Sequence, residues 1–241
     1  MQDNQYHTKV VQIELLELMK LVHAFLVSKD IRYSLCGGSL LGAIRHNGFI
    51  PWDDDIDIMM DRENFEKFIR CIHTDCNLSI TRNLWIYRIK KSANDKATVD
   101  VFVMDGVPNN FLERKIKVLM IKILQGMMKS KVDYSRYSFF YKTCTLLTST
   151  FGRIFPDSFK YNIYDKISQI GAKRSNYLCG YNDLFKLLNL RYKKNILDYL
   201  VLHQFEDTSF YITSEYDSYL TTQYGDWRTP PQEKDRKPIH I

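Results

Sequence analysis

The segment from Cys36 to Ile58 restricts what this chain can fold into more than any other part of the sequence. It reads CGGSLLGAIRHNGFIPWDDDIDI and joins a glycine turn, a short helix and a cluster of four aspartates. Carboxylates at such a density repel one another unless a cation neutralises them. The segment therefore predicts a divalent metal site that carries out phosphate chemistry.

The glycine turn predicts the anion side of that site. Gly37 and Gly38 lead into a helix predicted to begin at Ser39 as N-cap and to end near His46. Backbone N–H groups and the helix dipole favour an anion there, and glycine lets a phosphate approach the backbone closely. Arg45 and His46 could contact the phosphate, or they could serve only as cations that stabilise the helix C-terminus.

The carboxylates predict the metal side. Asp55 and Asp57 lie on a strand predicted from residue 55 to 60, where residues two apart share one face at a Cα spacing of about 7 Å. Magnesium prefers oxygen ligands, and a two-metal site would hold its ions about 3.5–4 Å apart. Asp100 is an acid within an apolar strand and is the predicted third ligand, unless it faces water at a strand edge.

Two further acids precede the predicted strand. Asp53 and Asp54 fit a role as solvated loop residues or helix caps as well as a role as ligands. An EF-hand calcium loop is excluded, because the sixth and twelfth positions counted from Asp53 hold Ile58 and Asn64 rather than glycine and glutamate.

The chain as a whole alternates helix and strand patterns up to about residue 108 and then turns to helix patterns. This predicts an α+β fold, with a small mixed sheet and flanking helices in residues 1–110 and a mainly helical region in residues 111–241. The predicted helices cover residues 9–28, 39–46, 62–72 and 111–128, and the predicted strands cover residues 32–36, 55–60, 84–90 and 97–104.

The helix predicted near residues 111–129 carries apolar and basic side chains. Its apolar side contains Leu112, Ile116, Leu119, Ile123, Leu124 and Met127, and its basic side contains Arg114, Lys117, Lys122 and Lys129. It could pack its apolar side on the core with solvated lysines outside. It could also lie on an anionic membrane as a peripheral contact.

Composition narrows the function classes only slightly. The net charge of +6 allows anionic substrates, nucleic acid or an anionic membrane surface. Five cysteines without a CxxC pair predict neither a zinc site nor a disulfide framework. The sequence has no apolar run long enough for a membrane span and no secretory signal pattern, so we expect a cytoplasmic location.

The segment GGSLLGAIRHNGFIPWDDDIDIMM resembles the LicD family of the nucleotidyltransferase (polymerase-β-like) superfamily. The superfamily pattern has three parts: a glycine-serine pair, two acids as DxD and a later third acid. Here these parts fall on Gly38-Ser39, on Asp55 with Asp57, and on Asp100. A later family block, an acid in a strand followed by DGVP, falls on Asp100 and on Asp105 to Pro108. Its C-terminal block resembles residues 216–240, including Trp227 and His240.

This resemblance implies a nucleotidyltransferase core and a specific reaction. The protein would transfer phosphocholine from CDP-choline, or a related alcohol phosphate, to a sugar hydroxyl of a cell-surface glycan and would release CMP. The acceptor would be a capsule, teichoic acid or lipopolysaccharide glycan, free or lipid-linked. Asp55, Asp57 and Asp100 would hold one or two Mg²⁺ ions, with Mn²⁺ as the alternative, and Asp100 would help to deprotonate the sugar hydroxyl.

A choline donor also needs a place for a quaternary ammonium. Aromatic faces bind such a cation, and the candidates are Trp52, Trp85, Tyr87 and Trp227, although each could equally be a core residue. Asp53, Asp54, Asp105 and His240 are further candidate site residues. A lipid-linked acceptor would bring the protein to the inner face of the plasma membrane.

Other functions remain open from the sequence. CDP-ribitol or CDP-glycerol could replace CDP-choline as donor. A GT-A glycosyltransferase also uses a DxD metal site, but its acids follow a longer Rossmann-like half than the stretch that precedes Asp55 here. A non-catalytic scaffold is disfavoured because all three acids are present. A nucleic-acid polymerase or adenylyltransferase is disfavoured by the IPWDDDID context, so no nucleic-acid partner is expected.

Overall fold

The computed structural model describes residues 2–73, 77–91, 96–129, 139–171 and 175–232. The chain forms two compact units. The first contains Met1–Thr81, Tyr87–Met104 and Asn195–Ile241, and the second contains Arg82–Ile86 and Asp105–Lys194. The division into residues 1–110 and 111–241 stays a prediction. The α+β class is confirmed, since the structure combines helices with a mixed sheet.

A mixed sheet forms the centre of the first unit. Its strands follow the order β1-β2-β5-β4-β3, with β1 antiparallel to β2, β2 parallel to β5 and β4 antiparallel to β5. The two parallel strands are rich in buried Ile, Val and Met, as expected for strands covered on both faces. The strands are β1 Ser34–Leu35, β2 Ile56–Asp61, β3 Ser79–Asn83, β4 Ile86–Lys90 and β5 Val99–Gly106, whose last two residues belong to the second unit.

Helices flank this sheet. They are α1 Gln2–Ser28, α2 Gly37–His46, α3 Arg62–Ile72 and α7 Tyr216–Tyr224, together with a 3-10 helix at Lys194–Leu197. Asp61 directly precedes the helix predicted over residues 62–72, and it caps α3, because its carboxylate accepts a hydrogen bond from the Asn64 N–H at 2.8 Å. The strand β3 was not predicted, since its polar sequence Ser79–Asn83 lacks a clear apolar alternation.

The start of α2 differs from the prediction. The helix begins at Gly37 with Cys36 as N-cap, so Ser39 lies inside the first turn. Its hydroxyl accepts a hydrogen bond from the Asp57 N–H at 2.8 Å and thereby links α2 to β2. Gly37 has φ +53°, which a residue with a side chain rarely adopts. The predicted end of α2 is confirmed by Asn47, which has the left-handed conformation of a C-cap.

The mainly helical character predicted for residues 111–241 is wrong for residues 177–213. The strands there are β6 Tyr177–Gly180, β7 Tyr192–Lys193, β8 Leu200–Phe205 and β9 Thr208–Thr213. Strands β8 and β9 form a hairpin in the first unit, joined through Glu206 at φ +55°. Its alternate residues Phe210 and Ile212 are buried, which is the two-residue period of a strand.

The second unit has a helical part and two short strands, which belong to the same mixed sheet as β1–β5. Its helices are α4 Phe111–Met128, α5 Phe139–Gly152 and α6 Asp157–Ser168, and β6 pairs with β7. The core contains Val118, Ile121 and Leu124 of α4 with Tyr164 and Ile167 of α6. No helix within the described ranges is both long enough and apolar enough to cross a bilayer.

The faces predicted for α4 are wrong in part, although Leu124 of the predicted apolar side is buried. Leu112, Ile116, Leu119 and Ile123 of the predicted apolar side are exposed, whereas Lys117 of the predicted basic side is only 2% exposed. The Lys117 ammonium donates hydrogen bonds to the carbonyls of Gly106 at 2.8 Å and Ile170 at 2.9 Å. It also lies 3.8 Å from the centroid of the Tyr181 ring. These contacts replace water around the buried charge.

Gly42 provides a test of the packing around α2. A Cβ atom at this position would lie 2.4 Å from the Gly48 carbonyl oxygen and 3.1 Å from the Ile50 nitrogen, both backbone atoms. We expect Gly42→Ala to lower the free energy of unfolding by about 2 kcal/mol, despite the better helix propensity of alanine. Urea denaturation measures this change. Asn47→Gly, in the same turn, is the control and should leave stability unchanged or raise it, since glycine favours φ > 0. A stable Gly42→Ala protein would contradict this packing.

Candidate active site

Two acids and one base form a row across three neighbouring strands of the first unit. Asp57 of β2 is the direct register partner of Asp100 of β5, and Asp100 is in turn the partner of Arg88 of β4. Neighbouring strands lie about 4.8 Å apart, and directly paired residues point to the same face of a sheet. The parallel register therefore brings together two acids that are far apart in the sequence.

Arg88 neutralises the middle member of this row. Its Nε lies 2.9 Å from Asp100 Oδ1 and its Nη2 lies 3.3 Å from Asp100 Oδ2, so both nitrogens donate to one carboxylate. Asp100 is 8% exposed, and a carboxylate so deeply buried requires such partners. Thr98 Oγ1 also lies 3.4 Å from Asp100 Oδ1. The predicted alternative of an edge acid facing water does not fit this burial.

The glycine turn lies directly against the carboxylates. A Cβ atom on Gly37 would come within 2.7 Å of Asp57 Oδ2, and one on Gly38 would come within 2.6 Å of Asp53 Oδ2. The first turn of α2 is therefore in contact with two acids, whose charge the helix dipole favours. The Gly37 N–H donates to the hydroxyl of Tyr219 on α7 at 3.2 Å. The anion side and the acid side predicted from the sequence are thus adjacent.

The loop that carries the remaining acids is fixed by α1. Gln12 Nε2 donates to the carbonyl of Ile50 at 3.1 Å and to that of Asp53 at 2.8 Å. Asp54 is buried, and Asp55 is partly buried just before β2 rather than within it. The hairpin turn contributes as well, because the Glu206 carboxylate accepts from the Phe49 N–H at 3.0 Å.

A cavity of about 540 Å³ opens beside this loop in the first unit. Its acidic lining residues include Asp54, Asp55 and Asp100, and its basic ones are Arg88 and Lys96. Walls of mixed charge suit a ligand that carries both a phosphate and a cation, since each group meets the opposite charge. The cavity is of the size typical for small-molecule sites.

The candidate ligand atoms are of the chemical type that magnesium prefers. Asp55, Asp57 and Asp100 offer carboxylate oxygens, and Asp57 and Asp100 are direct neighbours in the sheet. Among the residues that the structure describes, no group of three or more His, Cys, Asp or Glu side chains is arranged to hold a metal ion. The three-carboxylate magnesium site accordingly stays a prediction.

The two cations at the end of α2 have separate environments. Arg45 Nη1 donates to the carbonyl of Trp227 at 3.2 Å and so holds the segment that follows α7. His46 is exposed at the helix end, and partial desolvation lowers its pKa, with a further reduction from the Arg45 charge. This favours the neutral imidazole, which is a weaker phosphate ligand. Contact of either residue with a phosphate stays a prediction.

The aromatic candidates of the first unit differ in their burial and contacts. Tyr87 packs on Phe65 with the ring centroids 4.6 Å apart, and Trp52 is half-buried. The Trp227 ring is buried, its indole N–H donates to Asp217 at 3.2 Å, and the Arg228 guanidinium lies 4.4 Å from its centroid. The Trp227 face thus already binds a cation of this chain.

The other candidates lie elsewhere. Trp85 belongs to the apolar core of the second unit, where it packs with residues such as Val107 and Ile121. Asp105 is buried in the second unit at the end of β5. His240 lies outside the described residues.

Three residues that build the site were not predicted from the sequence: Arg88, Tyr219 and Gln12. Arg88 interrupts the apolar strand Ile86–Lys90 in the same way as Asp100 interrupts β5, and this common pattern could have suggested the pair. Tyr219 belongs to the C-terminal block that carried the family resemblance. Gln12 gives no local signal, because its role depends on the loop that it contacts.

Comparison with known proteins identifies the domain that holds this site. Residues 30–141 match the family model described as "LicD/FKTN/FKRP, nucleotidyltransferase domain". The chain carries a LicD-family domain. The predicted family is therefore confirmed, and the match includes the glycine turn, the aspartate cluster and β5 with Asp100.

Several curated proteins are similar to this chain. The lipopolysaccharide cholinephosphotransferase LicD of Haemophilus influenzae is 28% identical over 260 aligned residues, which cover 95% of this chain and 94% of the relative. The human ribitol 5-phosphate transferase FKRP is 50% identical over 42 residues, only 17% of this chain and 8% of FKRP. An uncharacterised Rickettsia prowazekii protein is 32% identical over 43% of this chain and 38% of its own length. The relatives with a named activity are transferases.

The Arg88–Asp100 pair of this LicD-family domain can be tested by a double-mutant cycle. Arg88→Met removes both hydrogen bonds to a buried carboxylate and should lower the free energy of unfolding by about 2 kcal/mol. The double variant Arg88→Met/Asp100→Asn should lose much less stability than the two single variants together. We expect a coupling energy of about 1 kcal/mol or more. Urea denaturation of the four proteins measures it.

The exposed pair Lys67–Asp30 is the matched control. Its atoms are 3.2 Å apart and its side chains are 38% and 97% exposed. The cycle of Lys67→Met and Asp30→Asn should give a coupling of about 0.5 kcal/mol or less. Equal coupling energies for the two pairs would contradict the prediction that burial strengthens the Arg88–Asp100 interaction.

Proposed function

We propose that this protein transfers an alcohol phosphate from a CDP-activated donor to a sugar hydroxyl of a cell-surface glycan and releases CMP. Phosphocholine is the proposed group, with CDP-choline as donor. The support comes from the LicD-family domain and from the relative that spans nearly the whole chain and is named a lipopolysaccharide cholinephosphotransferase. We also propose that the first unit has the nucleotidyltransferase type of core.

One structural observation carries this proposal. Asp57 and Asp100 are register partners on parallel strands, and the Asp57 carboxylate lies against the glycine turn at the N-terminus of α2. Oxygen ligands for a cation are thus adjacent to backbone N–H groups that favour an anion. A diphosphate that is neutralised by a divalent cation needs both the oxygen ligands and the N–H groups. The DxD acids of a glycosyltransferase would not require this glycine turn.

The reaction would proceed at the phosphorus that carries the alcohol. The sugar hydroxyl attacks this atom, the bond from the phosphorus to the bridging oxygen breaks, and CMP leaves with the bonding electron pair. Asp100 is the proposed acceptor of the hydroxyl proton. Bound Mg²⁺, or Mn²⁺, would neutralise the diphosphate, with Asp55, Asp57 and Asp100 as its ligands. Arg88 and Lys96 would bind phosphate oxygens from the cavity wall.

The identity of the alcohol depends on contacts beyond the diphosphate. A quaternary ammonium could bind on the acids of the cavity or on an aromatic face, for which Trp52 and Tyr87 are half-buried candidates in the first unit. A polyol phosphate is the second candidate, supported by the short match to ribitol 5-phosphate transferase. The acceptor would be a glycan of a capsule, teichoic acid or lipopolysaccharide. A lipid-linked acceptor would place the protein at the inner face of the plasma membrane.

A ligand panel tests the donor class. We expect CDP-choline with Mg²⁺ to raise the melting temperature of the full chain, since a ligand that binds only the folded state stabilises it. CDP-ribitol, CDP-glycerol and UDP-glucose are the comparison ligands. A larger shift with a CDP-polyol would change the alcohol and keep the reaction type. A shift with UDP-glucose alone would overturn the proposal in favour of a glycosyltransferase.

Substitution of the acids tests the site itself. Asp57→Asn and Asp100→Asn should weaken Mg²⁺-dependent CDP-choline binding by about 100-fold, because each removes a charged ligand of the cation. Isothermal titration with and without Mg²⁺ measures this loss. Asp198→Asn, at an exposed position of the first unit, is the control and should bind as the wild type does. Wild-type affinity in both Asp57→Asn and Asp100→Asn would refute the metal assignment.

A further inference from the structure

Helix α4 of the second unit has two apolar faces that point in opposite directions. One face carries Val118, Ile121, Leu124 and Met128, which belong to the core. The other face carries Leu112, Ile116, Leu119, Met120 and Ile123, all of them exposed, with Leu119 58% exposed. Their spacing of three and four residues places them in one stripe along the helix. A helix that only served the core would have polar residues there.

Helix α5, which packs against α4, carries further exposed apolar residues. Its exposed residues Leu146, Leu147 and Phe151 are followed by exposed Ile154. The two helices approach closely, since a Cβ atom on Gly126 would lie 2.3 Å from Thr148 Oγ1 and one on Gly152 would lie 2.1 Å from the Met127 carbonyl oxygen. We call the exposed residues Leu112, Ile116, Leu119, Met120, Ile123, Leu146, Leu147, Phe151 and Ile154 the α4–α5 surface.

An exposed apolar area of this kind needs a partner, because soluble monomers rarely expose large contiguous apolar patches. The charges around the α4–α5 surface indicate which one. Described residues 111–129 and 141–154 contain a single acid, Glu113. The same ranges contain the bases Arg114, Lys115, Lys117, Lys122, Lys129, Lys142 and Arg153, of which only Lys117 is buried.

The bases of α4 lie beside exposed aromatic rings. The Arg114 guanidinium and the Lys115 ammonium are each 5.4 Å from the centroid of the Phe111 ring, and the Lys122 ammonium is 4.2 Å from that of Phe185. Phe111 is exposed beside the apolar stripe. Aromatic and basic side chains beside an apolar stripe are typical of helices that lie in a membrane interface.

We propose that the α4–α5 surface binds the interface of an anionic lipid bilayer. Its apolar side chains would enter the boundary between headgroups and acyl chains, while the surrounding lysines and arginines contact lipid phosphates. A second copy of this chain is a poorer partner, because a two-fold contact would bring the same bases together across the interface. This proposal rests on the proposed function in one respect: a protein bound to the membrane would meet a lipid-linked acceptor there.

Vesicle co-sedimentation of the full chain tests this surface. The probes are phosphatidylcholine vesicles with and without about 30% phosphatidylglycerol, a content that gives a strongly negative surface. The wild type should bind the anionic vesicles, and raised salt should weaken the binding. The double variant Leu119→Ser/Ile123→Ser should bind about 10-fold more weakly, since it removes apolar insertion.

Matched control variants distinguish the α4–α5 surface from the general effect of removing exposed apolar or basic side chains. Val201→Ser/Leu202→Ser changes two exposed apolar residues of the β8–β9 hairpin in the first unit and should bind as the wild type does. Lys115→Gln/Lys122→Gln should lose anionic binding, whereas Lys9→Gln/Lys29→Gln, at exposed positions of the first unit, should keep it. Unchanged melting temperatures would establish that each variant is folded.

Three results would overturn the proposal. The first is no binding of the wild type to anionic vesicles. The second is equal loss of binding in the α4 and hairpin variants. The third is a wild-type dimer in solution that becomes monomeric in Leu119→Ser/Ile123→Ser, which would assign the surface to self-association. The assay needs neither donor nor acceptor, so its failure would leave the proposed reaction standing, and failure of CDP-choline binding would leave lipid binding standing.

Discussion

The contact between Asp100 and Arg88 is the interaction on which the candidate site depends. It allows two carboxylates, Asp57 and Asp100, to lie on adjacent strands within a largely apolar sheet. Without a cation near Asp100, the burial of this pair would oppose folding. Arg88 supplies that cation from the third strand, so the protein can fold with its acids already in place.

The residues around this row of two acids and one base also neutralise its charge or hold it in place. Asp57 is balanced by the N-terminus of α2. Glycine at position 37 suits both its φ of +53° and the close approach of the Asp57 carboxylate. Ser39 and Tyr219 then bond the turn to β2 and to α7. The site is therefore held by elements from the beginning, the middle and the end of the chain. In the second unit, the buried ammonium of Lys117 donates to two backbone carbonyls, and apolar residues on the other side of α4 are exposed.

Much of the local structure of both units could be predicted from sequence patterns. The helices α1, α3 and α4, the cap at Asp61 and the C-cap at Asn47 all result from residues within a few positions of one another. The strands β2 and β5 were recognisable from their apolar runs. The β8–β9 hairpin was missed because its two-residue alternation is short, and β3 because its sequence is polar. The long aspartate motif identified the family without any structural information.

By itself, the sequence determined the local elements, the family and the acids that are candidates for the site, because these depend on residue type and short spacing. Only the tertiary structure decided that Asp57 pairs with Asp100, that Arg88 bonds Asp100 and that Lys117 is buried while Leu119 is exposed. The physical reason is that strand register and the choice between two apolar helix faces are set by packing between distant segments. A one-residue change of register would place Asp100 on the other face of the sheet, and no local pattern excludes it.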